Sequence, residues 1–227
     1  MNAKAIVIFS GGLDSAAVLS QALTENKEVI ALHFCYGSKH EEAETKAANS
    51  LIDFLNNRGD KVTMMTIDLS PVFKHFKSAL LTGGEDLPHG TYDVENMKKT
   101  VVPFRNGIML SIAAGIAESQ GANRIYAGVH AGDNAVYPDC RVEFIKAFQD
   151  AVDKGTDAWI DFVMPLNSKP KSHAVNLCTK NKIPTELTWS CYEGGETQCG
   201  TCTTCTARRE AFSDACIADK TIYMGDF

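Results

Sequence analysis

The stretch IFSGGLDSAAVL, residues 8–19, passes from apolar residues through Ser10, Gly11, Gly12, Leu13, Asp14 and Ser15 and back into apolar ones. Upstream, AIVIF (5–9) has the β-branched character of a strand, and from Ser15 to about residue 25 the apolar spacing is helical. A glycine turn from strand into helix presents free backbone N–H groups and the positive end of a helix dipole, which together suit phosphate oxygens. It is not Walker A, which needs four residues between its glycines and a Lys-Ser/Thr pair. Nor is it the dinucleotide fingerprint GxGxxG.

The six residues SGGLDS resemble the pyrophosphatase-loop (PP-loop) signature SGGxDS, found in enzymes that cleave ATP between its α and β phosphates. Read physically, Gly11 and Gly12 let the backbone close on pyrophosphate, Asp14 can hold Mg2+ or cap the helix, and Ser10 and Ser15 offer hydroxyls. The competing account is a plain Gly-Gly turn with Asp-Ser as a helix cap. The placement between a first strand and an apolar helix favours the phosphate loop.

Outward from this stretch, VIALHF (29–34), a helix over about 40–57 and KVTMMTI (61–67) continue a βαβαβ beginning. This predicts an α/β fold: a doubly wound, mostly parallel, Rossmann-like sheet with helices on both faces. Residues 70–101 lose periodicity and gather Gly83, Gly84, Pro88 and Gly90, which predicts a mobile functional loop or lid. Ile108, Ile112 and Ile116 then recur every fourth residue, and RIYAGV (124–129) reads as a further strand. A helix over 141–155, the strand-like DFVMPL (161–166), a helix over about 170–181 and a last helix near 204–215 complete the pattern. No repeat or linker divides the chain, so residues 1–185 read as one ATP-binding domain with 186–227 packed on it as a metal-binding segment.

The 227 residues carry 22 basic and 28 acidic side chains, a net charge of -6, without a run of like charge. A stable nucleic-acid binder is disfavoured and a small ligand favoured. There is no signal-peptide pattern and no apolar run near the length of a membrane span, so the reading is a cytoplasmic protein that does not bind membranes. In a reducing compartment eight cysteines are better candidates for ligands or core than for disulfides.

Four of them, Cys191, Cys199, Cys202 and Cys205, lie in WSCYEGGETQCGTCTTC, with Gly194, Gly195 and Gly200 to turn the backbone. Four local thiolates can close the tetrahedral shell of a structural Zn2+, with Arg208 and Arg209 offsetting its negative charge. An iron–sulfur cluster and redox or incidental cysteines are the rival readings. Cys35, Cys140, Cys178 and Cys216 read as small buried thiols.

The blocks FSGGLDS, YGSKHEEAE, VPFRN, GANRIYAGVHAGD, YPDCRVEF, TWSCY and CGTCTTCTARREAF, in this order over nearly the whole chain, resemble the 7-cyano-7-deazaguanine synthase family. The resemblance implies an ATP-dependent ligase that turns 7-carboxy-7-deazaguanine and ammonia into a nitrile. ATP, Mg2+ and one Zn2+ per chain are the implied cofactors, and a homodimer is compatible with it. With no glutaminase-like portion visible, free ammonia is the expected nitrogen source. The family's ATP-binding segment falls on Phe9, Ser10, Gly11, Gly12, Leu13, Asp14, Ser15, Ala16, Ala17, Val18 and Leu19, and its zinc ligands on Cys191, Cys199, Cys202 and Cys205.

Arg105, Asn106, Asp133, Tyr137, Asp139, Arg141 and Glu143 match family blocks and are expected to bind substrate. Ser10, Asp14, Ser15, Arg105 and Lys171 are expected to serve catalysis. Asp139 or Glu143 could accept from the donor edge of a guanine-like base, and Arg105, Arg141 and Lys171 could neutralise triphosphate or carboxylate. Ser38, Asn134 and His173 depart from the family pattern. The rival enzymes are a PP-loop tRNA-modifying ligase or sulfurtransferase and a variant that stops at the amide; a non-catalytic ATP-sensing module is the rival of a different class.

Overall fold

A computed structural model describes residues 4–87 and 94–225, apart from the side chains of residues 94 and 96. Strands β1 (Lys4–Ile8), β2 (Glu28–Cys35), β3 (Val62–Asp68), β4 (Arg124–Tyr126) and β5 (Asp161–Val163) form one sheet in the order β3-β2-β1-β4-β5. Every pairing is parallel. The central strand is apolar on both sides because both faces are covered. Ala5 and Val7 of β1 point into one core, with α1 (Leu13–Glu25), α2 (Glu41–Arg58), α7 (Ser172–Lys180) and α8 (Thr203–Asp214). Ile6 points into the other, against α5 (Arg105–Gln120) and α6 (Val142–Gly155).

The elements stand within a few residues of their predicted spans; two strands are cut short, DFVMPL ending at Val163 and RIYAGV more informatively. RIYAGV is strand only through Tyr126; Ala127, Gly128 and Val129 leave the sheet and line a cavity. The backbone runs close to α1 there, since a Cβ on Gly128 would lie 3.0 Å from the Asp14 carbonyl oxygen.

The aperiodic stretch after β3 holds two short helices, α3 (Ser70–Phe73) and α4 (Val94–Lys98). Leu69, Phe73, Leu80, Leu81 and Leu87 are buried against the α5 face of the sheet, so the first part of this segment is anchored. Pro88 and Gly90, at the centre of the expected lid, lie outside the described residues.

The C-terminal segment is pinned by Arg208, which is fully buried. Its guanidinium donates to Thr188 Oγ1 (2.6 Å), Ser190 Oγ (3.2 Å) and the Thr185 carbonyl (2.8 Å). It also pairs with Asp219 at 3.3 Å and lies 5.1 Å from the Phe212 ring centroid. Breaking a buried pair leaves an uncompensated charge. Arg208→Met is therefore expected to cost about 3–5 kcal/mol in urea unfolding; a loss below about 1 kcal/mol would show that Arg208 does not hold this segment.

Candidate active site at the switch point of the sheet

From β1 the chain winds outward to β2 and β3, then returns to build β4 and β5 on the other side. The reversal leaves a crevice beyond the carboxyl ends of β1 and β4, where open α/β sheets bind ligands. A cavity of about 250 Å³ occupies that place, with Ile8 and Phe9 from the end of β1 and Ala127 and Gly128 from the end of β4 in its wall.

The glycine stretch forms the floor. Gly11 has φ +90°, and a Cβ there would sit 2.7 Å from the Ala48 nitrogen and the Glu44 carbonyl oxygen, both backbone atoms of α2. Only glycine combines that conformation with that approach. Gly12 is the N-cap of α1 and no side chain caps the helix, so the first-turn N–H groups point at the crevice. The two serines brace the turn: Gly12 N–H donates to Ser10 Oγ (3.2 Å), Ser10 N–H to Ser15 Oγ (3.3 Å), and Ser15 Oγ to the Gly12 carbonyl (3.0 Å).

Asp14 does not cap the helix. One of its oxygens pairs with Lys171 Nζ at 2.5 Å, and the other, Oδ1, is buried without a hydrogen-bond partner. Lys171 arrives from the start of α7, which packs along α1 and donates from Asn181 Nδ2 to Ser20 Oγ at 2.9 Å.

Arg105 opens α5 on the opposite wall, 5.5 Å from the Tyr36 ring centroid and donating to its hydroxyl at 3.1 Å. Burial works against its charge, Tyr36, Tyr192, Tyr137 and Cys140 around it shift it the other way, and the guanidinium is charged. Asp139 accepts the Asn106 N–H at 2.8 Å, which fixes the first turn of α5. Tyr137 shares a 3.0 Å hydrogen bond with Thr100, and Asp133 accepts the His130 N–H at 3.1 Å.

The cavity thus brings together Phe9, Ser10, Gly12, Leu13, Asp14 and Ser15 with Arg105, Asn106, Asp133, Tyr137 and Lys171. Gly11 lies behind the loop, and Ala16, Ala17, Val18 and Leu19 are buried in the core, where they anchor α1. Asp139 acts on α5 from behind the wall. Arg141 and Glu143 are exposed outside the cavity, Arg141 donating to the Asn134 carbonyl at 3.2 Å. Ser38, Asn134 and His173 are also absent from the wall, so the family departures do not touch the ligand space directly.

Sequence reading passed over Tyr36, His40, Glu44, His130, Trp189 and Tyr192, all of which line the cavity. The available signal was KHEEAE: His40 and Glu44, four apart at a helix start, share one face. The aromatic residues carried no local signal, because only tertiary folding brings 189–192 beside the first loop.

Next to the cavity, the sulfurs of Cys191, Cys199, Cys202 and Cys205 all lie within 4.8 Å of one another. Cys199–Cys205 and Cys202–Cys191 are each 4.0 Å apart, close to the ~3.8 Å edge of a tetrahedron with metal–sulfur bonds of ~2.3 Å. Backbone N–H groups of Cys199 and Cys202 donate to the sulfurs of Cys191 (3.3 Å) and Cys199 (3.2 Å), as thiolates require. This set can hold a metal ion. Arg208 is engaged with Asp219 and the 185–190 segment, and Arg209 lies 4.0 Å over Tyr223, so structural contacts occupy both. Of the other thiols, Cys140 and Cys178 are buried as expected, Cys35 is half-buried and Cys216 is exposed. Cys216 emerges because it ends the turn after α8 with φ +55°.

A parallel sheet wound both ways from a strand–glycine loop–helix unit defines a nucleotide-binding α/β protein of the PP-loop type. Among solved structures the chain is similar to a 4-thiouridine synthetase in an RNA complex with bound ATP (TM-score 0.53, 17% identity, 82% of this chain). It spans only 42% of that protein. It is also similar to the U34-tRNA thiolase NcsA of Methanococcus maripaludis with its 4Fe-4S cluster (TM-score 0.50, 15% identity, 94% of this chain and 65% of that one). These likenesses show the fold.

The model of the family described as Queuosine biosynthesis protein QueC matches residues 4–216, and the chain belongs to that family. A relative named 7-cyano-7-deazaguanine synthase from Desulfotalea psychrophila is 44% identical over 219 residues, covering 96% of this chain and 98% of the relative. One of the same name from Porphyromonas gingivalis is 43% identical, covering 97% of each.

Gly11→Ala is expected to cost about 2–3 kcal/mol of stability through strain at its left-handed φ. The rise in melting temperature produced by Mg-ATP should vanish with it. A variant that keeps both would mean that α2 does not press on the loop.

Proposed function

We propose that the chain is an ATP-dependent ligase converting 7-carboxy-7-deazaguanine and ammonia to 7-cyano-7-deazaguanine through adenylated intermediates. The observation that carries this reading is identity of 43–44% over essentially full length to relatives bearing that name. The cavity is consistent with it, since its glycine floor, Lys171 and Arg105 suit a triphosphate beside a carboxylate.

A carboxylate is a poor electrophile because its leaving group would be oxide. Attack of a carboxylate oxygen on the α phosphorus converts that oxygen into part of a phosphate leaving group. The α1 N–H groups, Ser10 and Ser15 retain the departing pyrophosphate, while Lys171 and Arg105 neutralise charge that builds on the phosphates. Ammonia displaces AMP to give the amide; adenylation of the amide oxygen and its loss as AMP give the nitrile. Asp139 acts by setting α5, and with it Arg105, against the cavity.

Mg2+ fits the unpartnered Asp14 Oδ1, where it would screen the phosphates and polarise the α phosphorus. Zn2+ fits the four-sulfur set as a structural ion, since four thiolates leave no open position for chemistry. In this reading residues 186–227 form the metal-bound segment packed on the 1–185 domain. We take the protein to be cytoplasmic, a reading that its free thiols support. Among the described residues no helix is long and apolar enough to cross a membrane. We take the substrates to be the small carboxylate and free ammonia, with no stably bound nucleic acid, and a homodimer is compatible with the reading.

The test is incubation with the carboxylate, ammonium and Mg-ATP. Carboxylate-dependent AMP and pyrophosphate and a product with the mass of the nitrile are expected. No carboxylate-dependent AMP would overturn the reading, and an amide as the sole product would limit it to one round.

A further inference from the structure

We propose that Glu44 is the general base that takes protons from the reacting nitrogen in both rounds of the reaction. This rests on the function proposed above, which moves protons off nitrogen repeatedly but leaves them without an acceptor.

Among the described residues, the other carboxylates that line or back the cavity wall each hold a partner through at least one oxygen. Asp14 pairs with Lys171, and Asp133 and Asp139 accept the N–H groups of His130 and Asn106. Glu41, one turn before Glu44 on α2, accepts the Tyr36 and Gly37 N–H groups at 2.6 and 2.7 Å. Glu44 lines the cavity, its side chain 17% exposed, with neither a lysine nor a backbone donor holding it among the described contacts. The Ser10 side chain stands near enough to favour its ionised form, and Glu44 and Ser10 line the same cavity, so the carboxyl lies by the glycine loop that would hold the phosphates. His40 Nε2 stands 3.6 Å from Glu44 Oε2.

The charged and titratable groups facing Glu44 are Arg105 from α5, Cys35 and Tyr36 from the end of β2, and Glu41 and His40 from its own helix end. Burial, reinforced by Glu41 and opposed by Arg105 and Ser10, pushes its carboxyl up to about 8. Burial and Arg105 together hold His40 down to about 4, so its ring is neutral near pH 7 and does not keep Glu44 ionised. A carboxyl that changes state near working pH can accept a proton, pass it to water and accept another.

In the first round a Glu44 oxygen bonds to a hydrogen of the attacking ammonia. The N–H pair stays on nitrogen, the C–N bond forms, and the C–O bond to AMP breaks with its pair leaving on the phosphate oxygen. In the second, Glu44 removes the last N–H protons of the adenylated amide. One N–H pair stays on nitrogen as its lone pair and the other becomes the third C–N bond as the C–O bond breaks with its pair to AMP.

The test compares Glu44→Gln with wild type in two assays on the full chain with carboxylate and Mg-ATP. One supplies ammonium and follows amide and nitrile. The other supplies hydroxylamine, which is largely unprotonated at neutral pH, and follows hydroxamate trapped from the acyl-adenylate. The expected result is a loss of about 100-fold or more with ammonium and less than about threefold with hydroxylamine. At a constant concentration of free ammonia, the wild-type rate should rise with pH through about 8 as Glu44 ionises, and the glutamine variant should lose that rise.

Unchanged ammonium turnover, or equal loss in both assays, overturns the proposal. Should the glutamine variant not stay folded, Glu44→Asp is put through the same pair, and the same split or its absence decides. A wild-type enzyme that forms no hydroxamate fails the ligase reading itself, which separates that failure from the failure of Glu44 as base.

Discussion

The structure depends on one close approach. The backbone leaving β1 must pass Gly11 at φ +90° with the α2 backbone against it, at a separation that leaves no room for a side chain. From that position the first turn of α1 faces the crevice at the sheet's switch point. The Gly11 carbonyl also accepts the Trp189 N–H at 3.0 Å, and the space beside Gly12 is filled by the Trp189 carbonyl, so the loop is tied to the segment carrying the cysteines. A metal held there would stiffen residues that border the ligand cavity, giving the distant cluster a physical link to nucleotide binding.

Electrostatics divides the cavity into two ends. Lys171 and Asp14 stand by the start of α1, and Arg105 comes from α5 among three tyrosines. The same cavity is lined by the pair of His40 and Glu44, which burial keeps largely uncharged near neutral pH. Fixed cations suit phosphates whose charge is always present, whereas a group that changes protonation suits a nucleophile that sheds protons.

Much of this was legible in the sequence because the signals are local. The SGGLDS turn, the alternation of β-branched strands with amphipathic helices, and the cysteine spacing each report on a few neighbouring residues. The side chains of Arg105, Asn106, Tyr137 and Lys171, met as family blocks, converge on the cavity. Arg141 and Glu143 belong to the same blocks but face solvent at the start of α6, because a matching block does not say which way a helix turns its residues. His40, Glu44, Trp189 and Tyr192 were missed because their meaning arises from contacts across the fold, such as the 5.2 Å ring approach of His40 and Tyr192. The apparent loop after β3 concealed buried leucines spaced by neither strand nor helix period.

The central claim is that the carboxylate oxygens leave on AMP. The direct measurement is to supply substrate with both carboxylate oxygens labelled with oxygen-18 and follow the label by mass spectrometry. The account predicts one label in each AMP, from both rounds, and none in pyrophosphate. Label in pyrophosphate or inorganic phosphate, or unlabelled AMP beside a completed nitrile, would contradict it.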